Sequence, residues 1–455
     1  MAAACAAAGA LPASADEKIS GVVERVAPDG IVVDSSVVVL AKGGRVSGDV
    51  KNLAAAKVGF WAEAQGRFRD RGDFEASRVK IRREAPGVTF ADNLDEISLK
   101  ESRKLDASDK IYRDPQAAAY VREVAERLVP DHARAEHDFS FEIIRDPSLN
   151  AFALPGGAIY VHTGLLARLD NEAQLAVILG HEIGHVTQKH GQRQYKANVA
   201  VMVPAQIGAV VLGVQLERRT DNPLVQIMAG LGLNLGLSAA VNGYGRTLED
   251  QADRVGLRYA AEAGYDTREG PKVWDIFNDV YGDEGRVENF FYGNHSTNAV
   301  RKENLRTEIG RHYRGRGEEG DPPVVNEEIY QRTMLDLTRD NAVDDFDLER
   351  YRLSARGFER VLRHRPADPV ARHYSGRIVL ATDEAPDAPQ KALSEYLRAV
   401  SVAPDYADVH RDLGLLYQKM GRPADARAHL ERYLELAPAG AKDRKDVEKA
   451  LEKVR

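Results

Sequence analysis

Residues Leu175–His190 read LAVILGHEIGHVTQKH. Apolar residues recur there at helical spacing, and among them lie His181, Glu182 and His185 as H-E-x-x-H. Residues four apart in an α-helix share a face, so both imidazoles project the same way. Two such nitrogens make half of a tetrahedral zinc site and leave room for a third protein ligand and a water. Glu182 follows the first histidine, where its carboxylate can take a proton from that water as general base. Without a metal, such groups on an apolar face would be expensive to bury.

The third ligand sets the class. The pattern H-E-x-x-H-x-x-G-x-x-H needs glycine at 188 and histidine at 191, but the chain has Gln188 and Gly191. On a helical wheel His190 falls off the ligand face. Downstream, TLEDQADRVG (Thr247–Gly256) puts Glu249 and Asp253 one helical turn apart. Glu249 can ligate zinc, while Asp253 can orient a ligand histidine through its other ring nitrogen. Paired with H-E-x-x-H, this points to a zinc peptidase whose third ligand is glutamate.

Three stretches carry a wider resemblance: NAFALPGGAIYVHTGLL (Asn150–Leu166), the H-E-x-x-H helix, and GRTLEDQADRVG (Gly245–Gly256). From about Asp92 to Leu305 the chain resembles the zinc metallopeptidase family of the CAAX prenyl proteases and HtpX. In particular it is similar to that family's soluble periplasmic members with tetratricopeptide repeats. The resemblance implies a mainly helical, gluzincin-type catalytic domain, with a loop and edge strand over Asn150–Val161 beside the zinc. An open strand edge binds an extended peptide by β-augmentation, which makes Asn150, Gly156, Gly157, Ala158, Ile159 and Tyr160 candidate substrate contacts. Gly156 and Gly157 would turn the backbone tightly before the strand. The segment NFFYGNHSTNAVRKENL (Asn289–Leu305) resembles a family stretch bearing a Thr-His-Pro tripeptide. His295 is kept there and the proline is lost. The resemblance implies that His295 lies near the metal, either ligating it in a self-inhibited state or stabilising an oxyanion, and that Arg301 positions a carboxylate.

The remainder of the 455 residues divides by composition. Residues 1–15 (MAAACAAAGALPASA) look like the tail of a secretory signal, with Ala13-Ser14-Ala15 as an A-x-A cleavage site before Asp16. Export to the periplasm is the expectation. Residues 16–88 alternate apolar and polar residues in β-rich runs separated by turns, as in a small OB-like barrel. Arg71-Gly72-Asp73 reads as a hairpin turn. Residues 89–311 hold the metallopeptidase motifs on a mainly helical background, with Asp114-Pro115 as a helix start. Two apolar segments, Ala197–Leu216 and Leu224–Val241, are close to membrane-spanning length but are broken by Pro204 and by several glycines. Buried helices covering the cleft are the first expectation for them, and peripheral contact with a membrane the second. The net charge of −7 argues against nucleic acid as a main partner, and the lone Cys5 excludes an intrachain disulfide.

Residues 312–340 read as a linker and connecting helix. Over 341–455, the phrases FERVLRHRP, YLRAVSVAP and LERYLELAP close on Pro366, Pro404 and Pro438. The last two prolines are one tetratricopeptide period apart. Leu413, Gly414, Tyr417, Ala426 and Leu430 fit that repeat, and Gly376, Ala392, Tyr396 and Ala399 fit the copy before it. Stacked helix pairs of this kind form concave surfaces for protein partners. The expected molecule is therefore a multidomain α+β zinc endopeptidase: a small N-terminal β-barrel, a helical metallopeptidase domain with an edge strand, and C-terminal α-helical repeats. Its expected substrate is the unfolded or misassembled cell-envelope polypeptide, a class that comes from the resemblance. The alternative is a periplasmic assembly factor or chaperone-like binding protein whose zinc site is closed by His295 as a fourth ligand.

Overall fold

A computed structural model of the chain describes residues 17–69, 72–84, 94–193, 245–281, 298–313 and 322–454. Five strands open it: β1 (Glu17–Ala27), β2 (Gly30–Val33), β3 (Ser36–Gly48), β4 (Trp61–Phe68) and β5 (Phe74–Arg82). They close into a barrel in the order β1-β2-β3-β5-β4, with β3 and β5 parallel. The alternation seen in the sequence is what fills it: Val23, Ile31, Val33, Val38, Phe74, Val79 and Ile81 all point into one core. Between β2 and β3, Asp34 and Ser35 both take positive φ, as a two-residue hairpin turn demands.

The metallopeptidase region starts with helices α1 (Leu94–Asp106) and α2 (Pro115–Leu128). Asp114 caps α2 by accepting the backbone N–H groups of Gln116 and Ala117, as its Asp-Pro start suggested. A three-stranded sheet follows, made of β6 (Ser140–Ile144), β7 (Ala151–Ala153) and β8 (Ala158–His162) in the order β6-β8-β7. This corrects one expectation. Ala158, Ile159 and Tyr160 lie in the central strand, hydrogen-bonded on both sides, and the edge beside the cleft belongs to Ala151–Ala153. The reason is that β6, far back in sequence, pairs parallel with β8 and closes its outer flank. Gly157 has a φ of 103° in the turn joining β7 to β8. A β-carbon on Gly156 would stand 3.1 Å from Asp95 O and Ser98 Oγ of α1. The two glycines thus shape the hairpin against α1.

The H-E-x-x-H helix is α3 (Glu172–Thr187), capped by Asn171 and buried along its whole length. It crosses α4 (Arg246–Glu262), which carries the second motif, and both are braced by α5 (Gly270–Tyr281) and α6 (Asn298–His312). Beyond these come α7 (Glu327–Thr333), α8 (Leu335–Asp347), α9 (Tyr351–His364), α10 (Pro369–Thr382), α11 (Ala388–Val402), α12 (Ala407–Lys419), α13 (Pro423–Leu436) and α14 (Arg444–Glu452). Helices α8/α9, α10/α11 and α12/α13 pack as antiparallel pairs, the stacking of a tetratricopeptide array. Glycine lets two of the pairs close: a β-carbon on Gly376 would lie 2.5 Å from the Tyr396 ring, and one on Gly414 2.5 Å from Leu430.

The array is docked on the metallopeptidase region. Tyr330, Met334 and Leu337 sit in that region's hydrophobic core. Arg145 pairs with Asp344 at 2.8 Å and Arg360 with Asp170 at 2.8 Å. Among the described residues no helix is long and apolar enough to cross a membrane. Residues 1–15, both apolar segments between the two motifs, and His295 lie outside the described residues.

Candidate metal centre

The crossing of α3 and α4 makes the site. Gly180 on α3 faces Gly256 on α4, so closely that a β-carbon on Gly180 would lie 2.6 Å from Gly256 O. Backbone against backbone, the helices bring Glu249 over the two motif histidines. His181 Nε2 and His185 Nε2 are 2.9 Å apart, and Glu249 oxygens stand 3.4 Å from the first and 3.8 Å from the second. Ligand atoms of all three residues lie within 4.8 Å of one another, and all three side chains are buried. Atoms about 2 Å from a tetrahedral zinc would be roughly 3.3 Å apart, so the spacing suits that ion. The donor set, two imidazoles and one carboxylate, suits it as well.

Each candidate ligand is held from behind. His181 Nδ1 meets Asp253 Oδ1 at 2.9 Å, which leaves Nε2 facing the site. Arg301, from α6, is fully buried and reaches both acidic residues of the second motif. Its Nε donates to Asp253 Oδ2 at 2.9 Å and its Nη1 to Glu249 Oε2 at 3.0 Å. The guanidinium also lies 4.5 Å over the Trp274 ring. This is the carboxylate-positioning role that the family resemblance implied for it. Burial would raise the Asp253 carboxyl, but Arg301 and His181 outweigh it and hold the group well below the usual carboxylate range.

His185 Nδ1 meets His190 Nδ1 at 2.8 Å, and His190 Nε2 meets Gln251 Oε1 at 3.1 Å. Helical-wheel reasoning placed His190 off the ligand face and gave it no part. The chain leaves the helix at Gln188, and Lys189 takes a φ of 54°, which folds His190 back under His185. A residue just past a helix end does not obey the helix's period.

The charges are tuned by burial. For His181, burial favours the neutral ring, but hydrogen bonds to Asp253 and Glu249 outweigh it and push its pKa up to about 9. A cation entering the site therefore displaces a proton. His185 is driven well below its ordinary range, by burial first and then by the charge on His181. Neutral imidazole is the ligating form. Glu182 is buried beside the pair. Its pKa rises to about 7 because desolvation outweighs the charge of His181 and the hydrogen bond from the Ala153 amide of the edge strand. A carboxylate poised near neutrality suits a general base.

Of the residues proposed from sequence, the structure gathers His181, Glu182, His185, Glu249 and Asp253 into one centre. Asn150 heads the edge strand, and its side-chain carbonyl has no hydrogen-bond partner among the described residues. Gly156 and Gly157 lie in the hairpin turn, and Ala158, Ile159 and Tyr160 in the covered strand. The residues that went unseen were His190, Gln188 and Gln251, which bear none of the motif chemistry.

Known proteins place this centre in context. Residues 115–309 match the description "Peptidase family M48", and residues 384–455 match "Tetratricopeptide repeat". The beta-barrel assembly-enhancing protease of Yersinia pestis is 32% identical over 170 residues, 37% of this chain and 34% of that protein. Mitochondrial metalloendopeptidase OMA1 of Arabidopsis thaliana is 34% identical over 156 residues, 33% of this chain and 29% of that protein. The matched stretch thus covers about a third of the length of these curated relatives. Among solved structures, MamA is similar over 26% of this chain and 75% of that chain, at 19% identity and a TM-score of 0.21, too slight a likeness to bear on the fold. With the two histidines and Glu249 inside the matched stretch, the chain carries a peptidase family M48 domain followed by tetratricopeptide repeats.

Proposed function

We propose that this chain is an exported zinc endopeptidase of the gluzincin type that cuts unfolded or misassembled proteins of the cell envelope. The observation that carries the reading is the meeting of three buried ligand atoms, from His181, His185 and Glu249, beside a carboxylate whose pKa lies near neutrality. Zinc at this position would supply a Lewis acid for the scissile carbonyl and acidify a water. Glu182 takes the water's proton on its carboxylate and gives it to the departing amine nitrogen. Asp253 and His190 keep the two imidazoles turned towards the ion, and Arg301 offsets the charge of the acidic pair.

The extended substrate would lie along β7. In the β7–β8 ladder, Leu154 N–H donates to Ala158 O and His162 N–H donates to Asn150 O. The backbone groups of Ala151 and Ala153 therefore point the other way, to the edge that no strand covers among the described residues, where the Ala153 amide meets Glu182. Recognition through backbone groups asks little of the substrate's side chains, which suits a protease for unfolded chains. The repeats would hold polypeptide or a protein partner. Relatives named for enhancing β-barrel assembly support an envelope substrate, and the A-x-A site at residues 13–15 supports export.

The test is Glu182→Gln in the full chain, assayed on an unfolded protein with zinc measured alongside. Loss of cleavage with zinc retained is expected. Equal cleavage by both proteins would remove Glu182 from the chemistry and this reading with it.

A further inference from the structure

The first and second zinc motifs are both bolted to the N-terminal barrel, and the bolts touch the metal centre. The β1–β2 ladder begins only at Val23. Just before it, Ser20 C=O and Val22 N–H stand beyond the reach of β2. Two glutamines complete that edge in place of a strand: Gln188 Oε1 accepts Val22 N–H at 3.0 Å, and Gln251 Nε2 donates to Ser20 O at 2.6 Å. Gln188 caps the H-E-x-x-H helix α3, and Gln251 lies on α4 between Glu249 and Asp253. Around them, Arg254 pairs with the buried Asp34 at 2.7 Å, Arg258 pairs with the buried Glu24, and Arg193 stacks 4.6 Å over Trp61 while donating to Gln251.

Gln251 faces two ways. Its amide nitrogen holds the barrel, and its carbonyl oxygen receives His190 Nε2–H. His190 then has one proton assignment left: its Nδ1 accepts, so His185 Nδ1–H donates to it. With its proton fixed on Nδ1, His185 presents Nε2 to the metal. One hydrogen-bond line therefore runs from the barrel backbone at Ser20, through Gln251 and His190, to the ring of His185, on the nitrogen opposite the one that faces the site.

We propose that the barrel is a working part of the metal centre, with His190 and Gln251 as positioning residues that couple barrel docking to zinc affinity. The inference rests on the reading that His185 ligates zinc. Coupling is reciprocal: if the docked barrel tightens zinc binding, zinc must tighten the docking by the same factor. A bare affinity tag or a ligand-binding module would show no such exchange.

Gly21 offers a lever remote from the ligands. A β-carbon there would meet Gln188 Oε1 and Gln251 Nε2, each at 2.9 Å. Its backbone is outside the positive-φ region, so a side chain is tolerated by the strand itself. Zinc affinity should be measured in the full chain by competition with a chromophoric chelator. For His190→Leu the expected loss is about 10–100-fold, with partial recovery in His190→Asn, whose carbonyl can again accept from His185. For Gly21→Val the expected loss is about fivefold or more. In the wild-type chain, adding Zn2+ should slow hydrogen exchange at the Val22 amide. Wild-type affinity in Gly21→Val, or exchange at Val22 indifferent to Zn2+, would overturn the coupling while leaving the enzyme reading intact. A wild-type chain that binds no Zn2+ would overturn both.

Discussion

Gly180 and Gly256 touch where the two motif helices cross, and each denies space to a β-carbon on the other. A β-carbon on Gly256 would lie 2.4 Å from the backbone nitrogen of His181. The obstacle is backbone, which cannot swing aside as a side-chain end can. The position of Glu249 over the histidines depends on this contact.

Gly256→Ala is therefore expected to harm the protein despite a helix-propensity gain of about 1 kcal/mol. Overpacking against backbone costs about 1–3 kcal/mol and pushes the helices apart, taking Glu249 from the ligand position. Urea unfolding and a zinc titration check this together. Unchanged zinc affinity would mean that the crossing distance does not set the site.

Arg301→Met should destabilise the zinc-free protein by about 3–5 kcal/mol, because Asp253 and Glu249 would then share only the charge of His181 between them. Bound zinc would replace part of the missing positive charge, so the loss should shrink in the loaded protein. Equilibrium unfolding of both forms gives the comparison, and equal losses would exclude this electrostatic account.

Removing zinc with a chelator should lower the thermal midpoint, and adding zinc should restore it. At free zinc a hundredfold above the dissociation constant, the stabilisation is about 2.7 kcal/mol. Glu249→Ala should make the midpoint insensitive to chelator. A midpoint in that variant that still follows zinc would place the ion elsewhere.

The repeats carry an acid-sensitive pair of their own. Asp412 receives His373 Nε2–H at 2.8 Å and also meets Arg411. Burial would raise its carboxyl, but His373 and Arg411 outweigh that and lower it from 3.8 to about 2. The native chain thus binds fewer protons than the unfolded chain between those values. The pair's contribution, on the order of 2 kcal/mol, is fully present above pH 3.8 and is lost as pH falls towards 2. Circular dichroism of urea unfolding over this range should show a shallower pH dependence for Asp412→Asn than for wild type. Parallel curves would assign the acid loss to other groups.

Periodicity and motif spacing were enough to anticipate the three-part architecture and to pick out His181, His185 and Glu249 as the candidate trio, with Glu182 and Asp253 beside it. All of these follow from local rules: a ligand pair four apart on one helix, an alternating strand, a repeat of fixed length. What tertiary structure alone decided depends on partners distant in sequence. Parallel pairing by Ser140–Ile144 moved Ala158–His162 to the centre of its sheet and gave the edge to Ala151–Ala153. The left-handed turn at Lys189 returned His190 to the ligand it supports, against the helical wheel. Gln188 and Gln251 gained their roles only because a barrel more than 160 residues earlier left two backbone groups open at its edge. A glutamine's chemistry is generic, so its place in the sequence could not announce it; burial beside an unpaired strand edge did.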